Sequence, residues 1–211
     1  MSLEFYSQHG QDRFCYEKFF QNKKDGFFLE IGALDGIRLS NTYFYEKMGW
    51  SGICVEPSPK KFSLLEKNRN CICEKAAVSN ISGQKLSFMD IHGYGEGLSG
   101  IVEKYNKKHR DRIQREIKNP NNLGFELVEV ETISFNDLLE KHDIVNVDLC
   151  SIDIEGGELE ILKSIDFSRF KIGILIVENN YNDQEMRNFM SSSGYELKTR
   201  ISCDDIYVLG V

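Results

Sequence analysis

Short apolar segments alternate with helical patterns along most of this chain. The clearest apolar segments are residues 27–31, 52–56, 71–78, 147–153 and 171–178. Strands that alternate with helices form βαβ units, and such units build a mostly parallel sheet with helices on both faces. Two further segments, 195–200 and 206–209, are predicted to close the sheet as an antiparallel pair.

Local signals predict where the helices begin. We expect helices over 41–48, after Ser58, after Ser134, over 159–162 and over 183–190. Ser58 is a good cap and Pro59 suits a first helical position, with Leu64 and Leu65 as the apolar face of that helix. A hairpin through 83–88 is expected after the third strand.

Four of the predicted strands end in a carboxylate. The residues at these ends are Glu30, Glu56, Asp153 and Glu178. In an open parallel sheet, ligands bind beyond the carboxyl ends of the strands, near the point where the strand order reverses. We therefore expect these acids to carry the chemistry of the chain.

The turn after the first strand indicates which ligand that is. Gly32 permits a tight turn and close approach to the backbone, and Gly36 does so further round. A dinucleotide site needs more glycines, so that backbone amides can meet a pyrophosphate, whereas this turn carries Glu30 and Asp35. The acids favour S-adenosylmethionine (SAM), which has an ammonium and a sulfonium group but no phosphate. Glu56, about 20 residues further on, could accept both ribose hydroxyls.

Residues 151–157 place two alternating carboxylates beside a glycine pair. Asp153 ends a buried strand and is our first candidate for a catalytic base, followed by Glu155 and Glu178. A divalent cation could bind Asp153, Glu178 and Asn179 through oxygen atoms, but a turn built by the asparagines is favoured.

The order and spacing of several motifs resemble the FkbM-type SAM-dependent methyltransferases. The motifs are SQHGQD at 7–12, EIGALDG at 30–36, SNT at 40–42, GWSGICVEP at 49–57, AAVS at 76–79, SIDIEG at 151–156 and VENN at 177–180. This resemblance implies a seven-stranded Rossmann-like fold and methyl transfer to oxygen, often on sugars or secondary metabolites. Members often carry histidine where Asn179 stands, so a histidine base is not expected there.

The same resemblance assigns the cofactor contacts. The methionine end of SAM would contact Glu30, Gly32 and Asp35, the ribose Glu56, and the adenine Ala77 and Ser79. The transferred methyl group would face Asp153 and Glu155, and the pocket would be closed by Gln11 and Asp12. The set is completed by Gly36 and Asn41.

Residues 93–126 lie outside the resemblance. We expect them to form a variable acceptor-binding or lid insertion within a single domain of residues 1–211. Residues 103–118 hold seven Lys and Arg against three acids, and their apolar residues fall at helical spacing. This predicts an amphipathic helix, either a solvated face or a basic lid over an anionic acceptor. His92, just before the insertion, is a rival base.

The overall charge limits the partners. The 33 Asp and Glu against 26 Lys and Arg give a net charge of −7, which disfavours binding to nucleic acid or anionic membranes. No apolar run approaches the ~20 residues of a membrane span, and a signal-peptide pattern is missing. We expect a cytoplasmic protein whose six cysteines stay reduced.

Two other functions stay open at this point. A nicotinamide-dependent oxidoreductase could use a similar sheet, although the glycine pattern and the acidic turn disfavour it. A catalytically inactive SAM-binding protein would keep the fold, and the retained carboxylates argue only weakly against it.

Overall fold

The computed structural model describes residues 3–210, which are built around a seven-stranded sheet. The strands within these residues are, in chain order, β1 (Phe27–Ile31), β2 (Ser51–Val55), β3 (Ile72–Glu74), β4 (Ala77–Ser79), β5 (Lys85–Gly93), β6 (Gly100–Ile101), β7 (Asn122–Ser134), β8 (Asn146–Ile152), β9 (Lys171–Glu178), β10 (Tyr195–Ile201) and β11 (Asp204–Leu209). The central sheet has the order β10-β11-β9-β8-β1-β2-β3. Neighbouring strands of this sheet are parallel, except that β11 runs antiparallel to both β9 and β10. This arrangement confirms the predicted α/β fold and its closing antiparallel pair.

The helices begin close to the predicted positions. They are α1 (Gln11–Cys15), α2 (Tyr43–Lys47), α3 (Pro59–Asn68), α4 (Lys107–Glu116), α5 (Phe135–Lys141), α6 (Glu158–Ser164) and α7 (Gln184–Ser192). The hydroxyls of Ser58 and Ser134 accept hydrogen bonds from backbone amides of α3 and α5, as the sequence predicts. Leu65 is buried in the core, but the prediction for Leu64 is wrong: it is 49% exposed, and Phe62 takes its place.

Helices cover both faces of the central sheet because the side chains of each strand alternate between them. On β1, Leu29 points into a core cluster shared with α5, α6 and α7. Its neighbour Phe28 points into the opposite cluster, shared with α1, α2 and α3. The carboxyl ends of β1, β2, β8 and β9 are left to form one edge between these layers.

A smaller sheet in the order β4-β7-β5-β6 corrects the prediction for residues 71–88. The predicted strand 71–78 is divided, since β3 joins the central sheet and β4 pairs in parallel with the end of β7. The expected hairpin at 83–88 is also wrong, because β5 pairs antiparallel along β7 from Lys85 opposite Glu131. Both corrections have one cause: the partner strand is remote in sequence.

The insertion contains the predicted helix in a shorter form, α4, with Tyr105 lying ahead of it. Ile113 packs with Tyr105, Leu98 and Ile91 in a small apolar cluster. This cluster anchors α4 to β5 and brings the helix beside the carboxyl ends of the central strands. No helix within residues 3–210 has the length and apolarity needed to cross a bilayer.

A buried ion pair joins the first two βα units. Arg69, directly after α3, donates to Glu30 of β1 at 3.1 Å and to Glu46 of α2 at 2.5 Å, and its side chain is fully buried. It also donates to the carbonyl of Gly36 and the hydroxyl of Thr42. One guanidinium thus links a strand, a helix and the intervening turn.

We expect Arg69→Met to lower the free energy of unfolding by about 3–5 kcal/mol, because two buried carboxylates lose their counter-charge. Urea unfolding measures this difference. The control is Arg169→Met, which removes an exposed pair with Glu140 and should cost less than about 1 kcal/mol. Equal losses in the two variants would contradict the importance of the buried pair.

Candidate active site

A cavity of about 620 Å³ opens at the carboxyl ends of β1, β2, β8 and β9. It lies where the strand order reverses between β1 and β8, as expected for an open parallel sheet. Of the residues predicted from sequence to contact the cofactor or to catalyse, those lining it are Gln11, Glu30, Gly32, Asn41, Glu56, Ala77, Asp153, Glu155 and Glu178.

The turn after β1 approaches the neighbouring strand so closely that only glycine fits. Gly32 has a φ of +88°, and a Cβ atom there would lie 1.8 Å from the carbonyl oxygen of Asp153. The amides of Gly32 and Ala33 both donate to the carbonyl of Val55 at the end of β2. The floor of the cavity is therefore backbone, fixed from both sides.

Glu30 shapes the wall of this cavity. Its carboxylate accepts from the Ser40 hydroxyl, the Asn41 amide and the Thr42 hydroxyl, besides Arg69. These donors satisfy the buried charge and hold residues 40–42 against the sheet. The predicted contact between Glu30 and SAM remains a prediction, since the carboxylate already has this full set of protein donors.

Asn41 presents a buried acceptor without a partner. Its Nδ2 donates to the Ser151 hydroxyl at 2.9 Å, while its Oδ1 has no hydrogen-bond partner among the described residues. A buried polar atom normally has a partner, and a bound ammonium or amide group would supply one. The cavity residues thus fit the cationic cofactor predicted from the sequence.

Glu56 lies at the end of β2 with both carboxylate oxygens engaged by backbone. Oε2 accepts from the Leu34 amide and Oε1 from the Ser58 amide, each at 2.9 Å. Burial raises the pKa of Glu56 to about 7, although the nearby Lys61 ammonium opposes that rise. Each oxygen retains acceptor capacity, which suits the predicted role toward ribose hydroxyls.

Four residues predicted to contact the cofactor lie outside the cavity lining: Asp12, Asp35, Gly36 and Ser79. Asp12 accepts from the Tyr6 amide and the Ser7 hydroxyl, which folds the segment before α1. Asp35 accepts from two following amides and so forms its own turn. The physical reason is the same in both cases: short acidic side chains satisfy nearby backbone donors.

The opposite wall is a cluster of three carboxyl groups from the ends of β8 and β9. Oxygens of Asp153, Glu155 and Glu178 lie within 4.8 Å of one another. Burial, followed by repulsion from neighbouring acids, raises the pKa of Glu155 and Glu178 well above the usual range. Asp153 opens onto the cavity, yet the surrounding protein desolvates it and raises its pKa to about 7.

Helix α4 supplies two contacts to this cluster that the sequence did not reveal. His109 Nδ1 lies 3.3 Å from Glu155 Oε2, and Arg112 lies 3.4 Å from the same oxygen. The other ring nitrogen of His109 is 3.3 Å from the Leu98 carbonyl, which can only accept. A neutral His109 therefore offers a bare Nδ1 to a protonated Glu155. The available signal was the spacing of His109 and Arg112 on one face of a predicted helix.

Two sequence alternatives lie away from the cluster. Asn179 donates to Asp205 and accepts from the Asp183 amide, so it builds the turn before α7, as favoured in the sequence. His92 lies near Asp90 and Glu126 and is outside the cavity lining. Three carboxylates remain as potential cation ligands, and protonation offers them another way to relieve their charge.

Comparison with known proteins identifies the family to which this chain belongs. A family model described as the methyltransferase FkbM domain matches residues 30–197, which is more than half of the chain. No curated protein sequence matches the chain significantly.

Several solved structures share the general arrangement at low similarity. M. capricolum TrmK in complex with S-adenosyl-homocysteine has 12% identity and a TM-score of 0.41, and the match covers 87% of this chain and 61% of that one. A TehB-like SAM-dependent methyltransferase from Corynebacterium glutamicum has 8% identity and a TM-score of 0.47, covering 98% and 89%. Aeropyrum pernix fibrillarin with bound S-adenosyl-L-methionine has 10% identity and a TM-score of 0.45, covering 96% and 73%. At these identities and TM-scores, the structural likeness adds nothing to the α/β fold that the strand order already shows.

We expect the contribution of the carboxyl cluster to stability to fall as the pH rises through the range in which its acids lose their protons. The folded cluster holds protons that an unfolded carboxyl releases near pH 4, so its contribution to the free energy of unfolding decreases above that pH, and for Asp153 the decrease ends near pH 7. Glu178→Gln should therefore stabilise the chain at pH 8 by about 1 kcal/mol, or roughly 2–4 °C in melting temperature, and change little at pH 4.

Thermal unfolding at the two pH values measures this effect. Glu66→Gln is the control, because Glu66 is exposed and should change stability by less than about 0.5 kcal/mol at either pH. A destabilised Glu178→Gln variant at pH 8 would contradict the crowding of the three acids.

Proposed function

This chain belongs to the FkbM methyltransferase family, and we propose that it methylates a hydroxyl of a sugar, a glycan intermediate or another small molecule. Family membership makes it a SAM-dependent methyltransferase. The choice of oxygen as acceptor atom and of a small hydroxyl compound as acceptor is our proposal. It rests on one observation, the carboxyl cluster at the wall of the cavity.

An alcohol needs a base before it can attack a methyl group. A carboxylate with its ordinary pKa is a weak base, and efficiency improves as the pKa approaches the working pH. Asp153, with a pKa raised to about 7, meets that condition and opens onto the cavity. This combination supports proton removal from a hydroxyl.

Asp153 is a better candidate for the base than its two neighbours. Glu155 already has three partners on one oxygen, His109, Arg112 and Asn180. Glu178 accepts from Asn180 at 2.6 Å. We assign Asp153 to accept the acceptor's proton, since burial and repulsion from Asp204 and Glu158 keep its pKa high.

Other residues of the chain hold the reactants. SAM, when bound, supplies a methyl group activated by its sulfonium. Asn41 Oδ1 would accept from the ammonium and Glu56 from the ribose hydroxyls, while Ala77 borders the base. The rigid floor at Gly32 fixes the position of these contacts, and alignment alone can supply much of the rate enhancement.

The remaining parts of the proposal concern the acceptor and its setting. Residues 93–126 would form the acceptor-binding insertion of a single domain, since α4 reaches the carboxyl cluster. A small-molecule partner, rather than nucleic acid, fits the net charge of −7. A cytoplasmic location stays a prediction, as does the oxygen specificity.

Incubation with methyl-labelled SAM tests the function directly. We expect a hydroxyl compound in a fractionated small-molecule extract to gain one labelled methyl group, on oxygen. Mass spectrometry and degradation of the product identify the methylated atom. Transfer to nitrogen would refute the proposed acceptor atom, and SAM binding without transfer to any fraction would favour the inactive alternative.

Asp153→Asn should reduce turnover by about 10²–10⁴-fold, because the base is lost while the side-chain shape is kept. In the original chain, turnover should rise with pH until about 7 and then level off, and this rise should be missing from the variant. The control is Asp111→Asn, which changes an exposed aspartate of α4 outside the cavity lining. Calorimetry with S-adenosylhomocysteine verifies that the cofactor site survives; near-normal turnover would exclude Asp153 as the base.

A further inference from the structure

A second cavity, of about 740 Å³, lies next to the first. Its walls come from α4, from the start of α6 and from the turn before α7, and it shares Glu155, Gly156, Glu178 and Asn180 with the cofactor cavity. The shared residues are those around the proposed base. A molecule in the second cavity would therefore meet the cofactor across this common wall.

Asn180 forms the centre of the common wall. Its Nδ2 donates to Glu178 Oε1 at 2.6 Å and lies 3.3 Å from Glu155 Oε2. Both partners carry raised pKa values because of burial and repulsion from Asp153 and Glu158. The four residues shared by the two cavities thus present hydrogen-bonding groups to a hydroxyl and include no cation that could hold an anion.

Tyr181 offers an unused hydrogen-bonding group in the same cavity. Its hydroxyl oxygen is buried and has no partner among the described residues. Burial raises the pKa of this phenol, so it stays protonated and can donate. A buried hydroxyl without a partner is costly, and a ligand oxygen would satisfy it.

The outer end of the cavity is basic. Lys104 and Lys163 are neutralised by Glu160 and Glu185, at 2.6 and 2.5 Å. Lys107 and Lys108 also line the cavity and have no carboxylate within ion-pair distance among residues 3–210. Lys108 Nζ lies over the Tyr181 ring, 5.3 Å from its centre, so the ammonium and this tyrosine face the same cavity.

We propose that the second cavity binds the methyl acceptor, and that this acceptor is a small polyhydroxyl compound carrying an anionic group. The proposal rests on the hydroxyl methylation proposed above. The anion lies at Lys107 and Lys108, Tyr181 donates to an oxygen of the acceptor, and a hydroxyl reaches the wall at Glu178 and Asn180. The orientation follows because the unpaired lysines lie at one end of the cavity and hydrogen-bonding groups without a cation at the other.

Binding of three sugars in the presence of S-adenosylhomocysteine tests this inference. The probes are glucose 6-phosphate, glucuronate and glucose, and saturation-transfer NMR and calorimetry report their binding. We expect both charged sugars to bind more tightly than glucose, with the ratio between them showing whether phosphate or carboxylate is preferred. The double variant Lys107→Ala/Lys108→Ala should weaken the charged sugars about tenfold or more and remove the difference from glucose.

Two further variants sharpen the test. Lys67→Ala/Lys118→Ala removes the same charge from exposed positions outside both cavities and should leave all binding unchanged. Tyr181→Phe should weaken the charged sugars without affecting S-adenosylhomocysteine. Binding of S-adenosylhomocysteine in every variant separates this inference from the proposed function, which fails if that cofactor product does not bind to the original chain.

Three outcomes would overturn the inference while leaving the methyltransferase function intact. They are equal binding of glucose and the charged sugars, no binding of either charged sugar at millimolar concentration, and unchanged binding in the double-lysine variant.

Discussion

The ion pair between Glu30 and Arg69 is the constraint on which the cofactor cavity depends. Glu30 stands on a central strand, where an unpaired carboxylate would be costly to bury. Arg69 and the donors of residues 40–42 satisfy it, and in doing so they fix the loop that carries Asn41. The position of the unpartnered Asn41 oxygen thus depends on the buried charge of Glu30, which the Asn41 backbone amide contacts.

The opposite wall of the cavity also carries carboxyl groups, but their pKa values are raised. Within residues 3–210, no fully buried guanidinium contacts Asp153, Glu155 or Glu178. Arg112 contacts only Glu155 of these three, and its side chain is 36% exposed. Burial and repulsion from neighbouring acids, Glu158 among them, therefore raise their pKa values, whereas Glu30 has a strong counter-charge. The two walls of the cavity thus differ in the pKa values of their acids, and the difference lies in the available cations.

The local features of this fold are predictable from sequence, and the remote ones are not. Strand 171–178 and the caps at Ser58 and Ser134 depend on a few adjacent residues, and the structure confirms them. The smaller sheet depends on β7 pairing with two segments far from it in sequence, and no local pattern specifies such partners. The carboxyl cluster was predictable because parallel strands bring their ends together, whereas the contact of His109 with Glu155 requires the packing of α4.

Helix α4 connects the two cavities through its successive turns. Lys107 and Lys108 at its start line the second cavity, while Arg112 and Glu116 line the first. His109, between them, contacts the acid that both cavities share. One helix thus lines both cavities and contacts the acid between them. With the acceptor in the second cavity, as we propose, changes at the start of this helix would alter which acceptor binds without disturbing the central sheet.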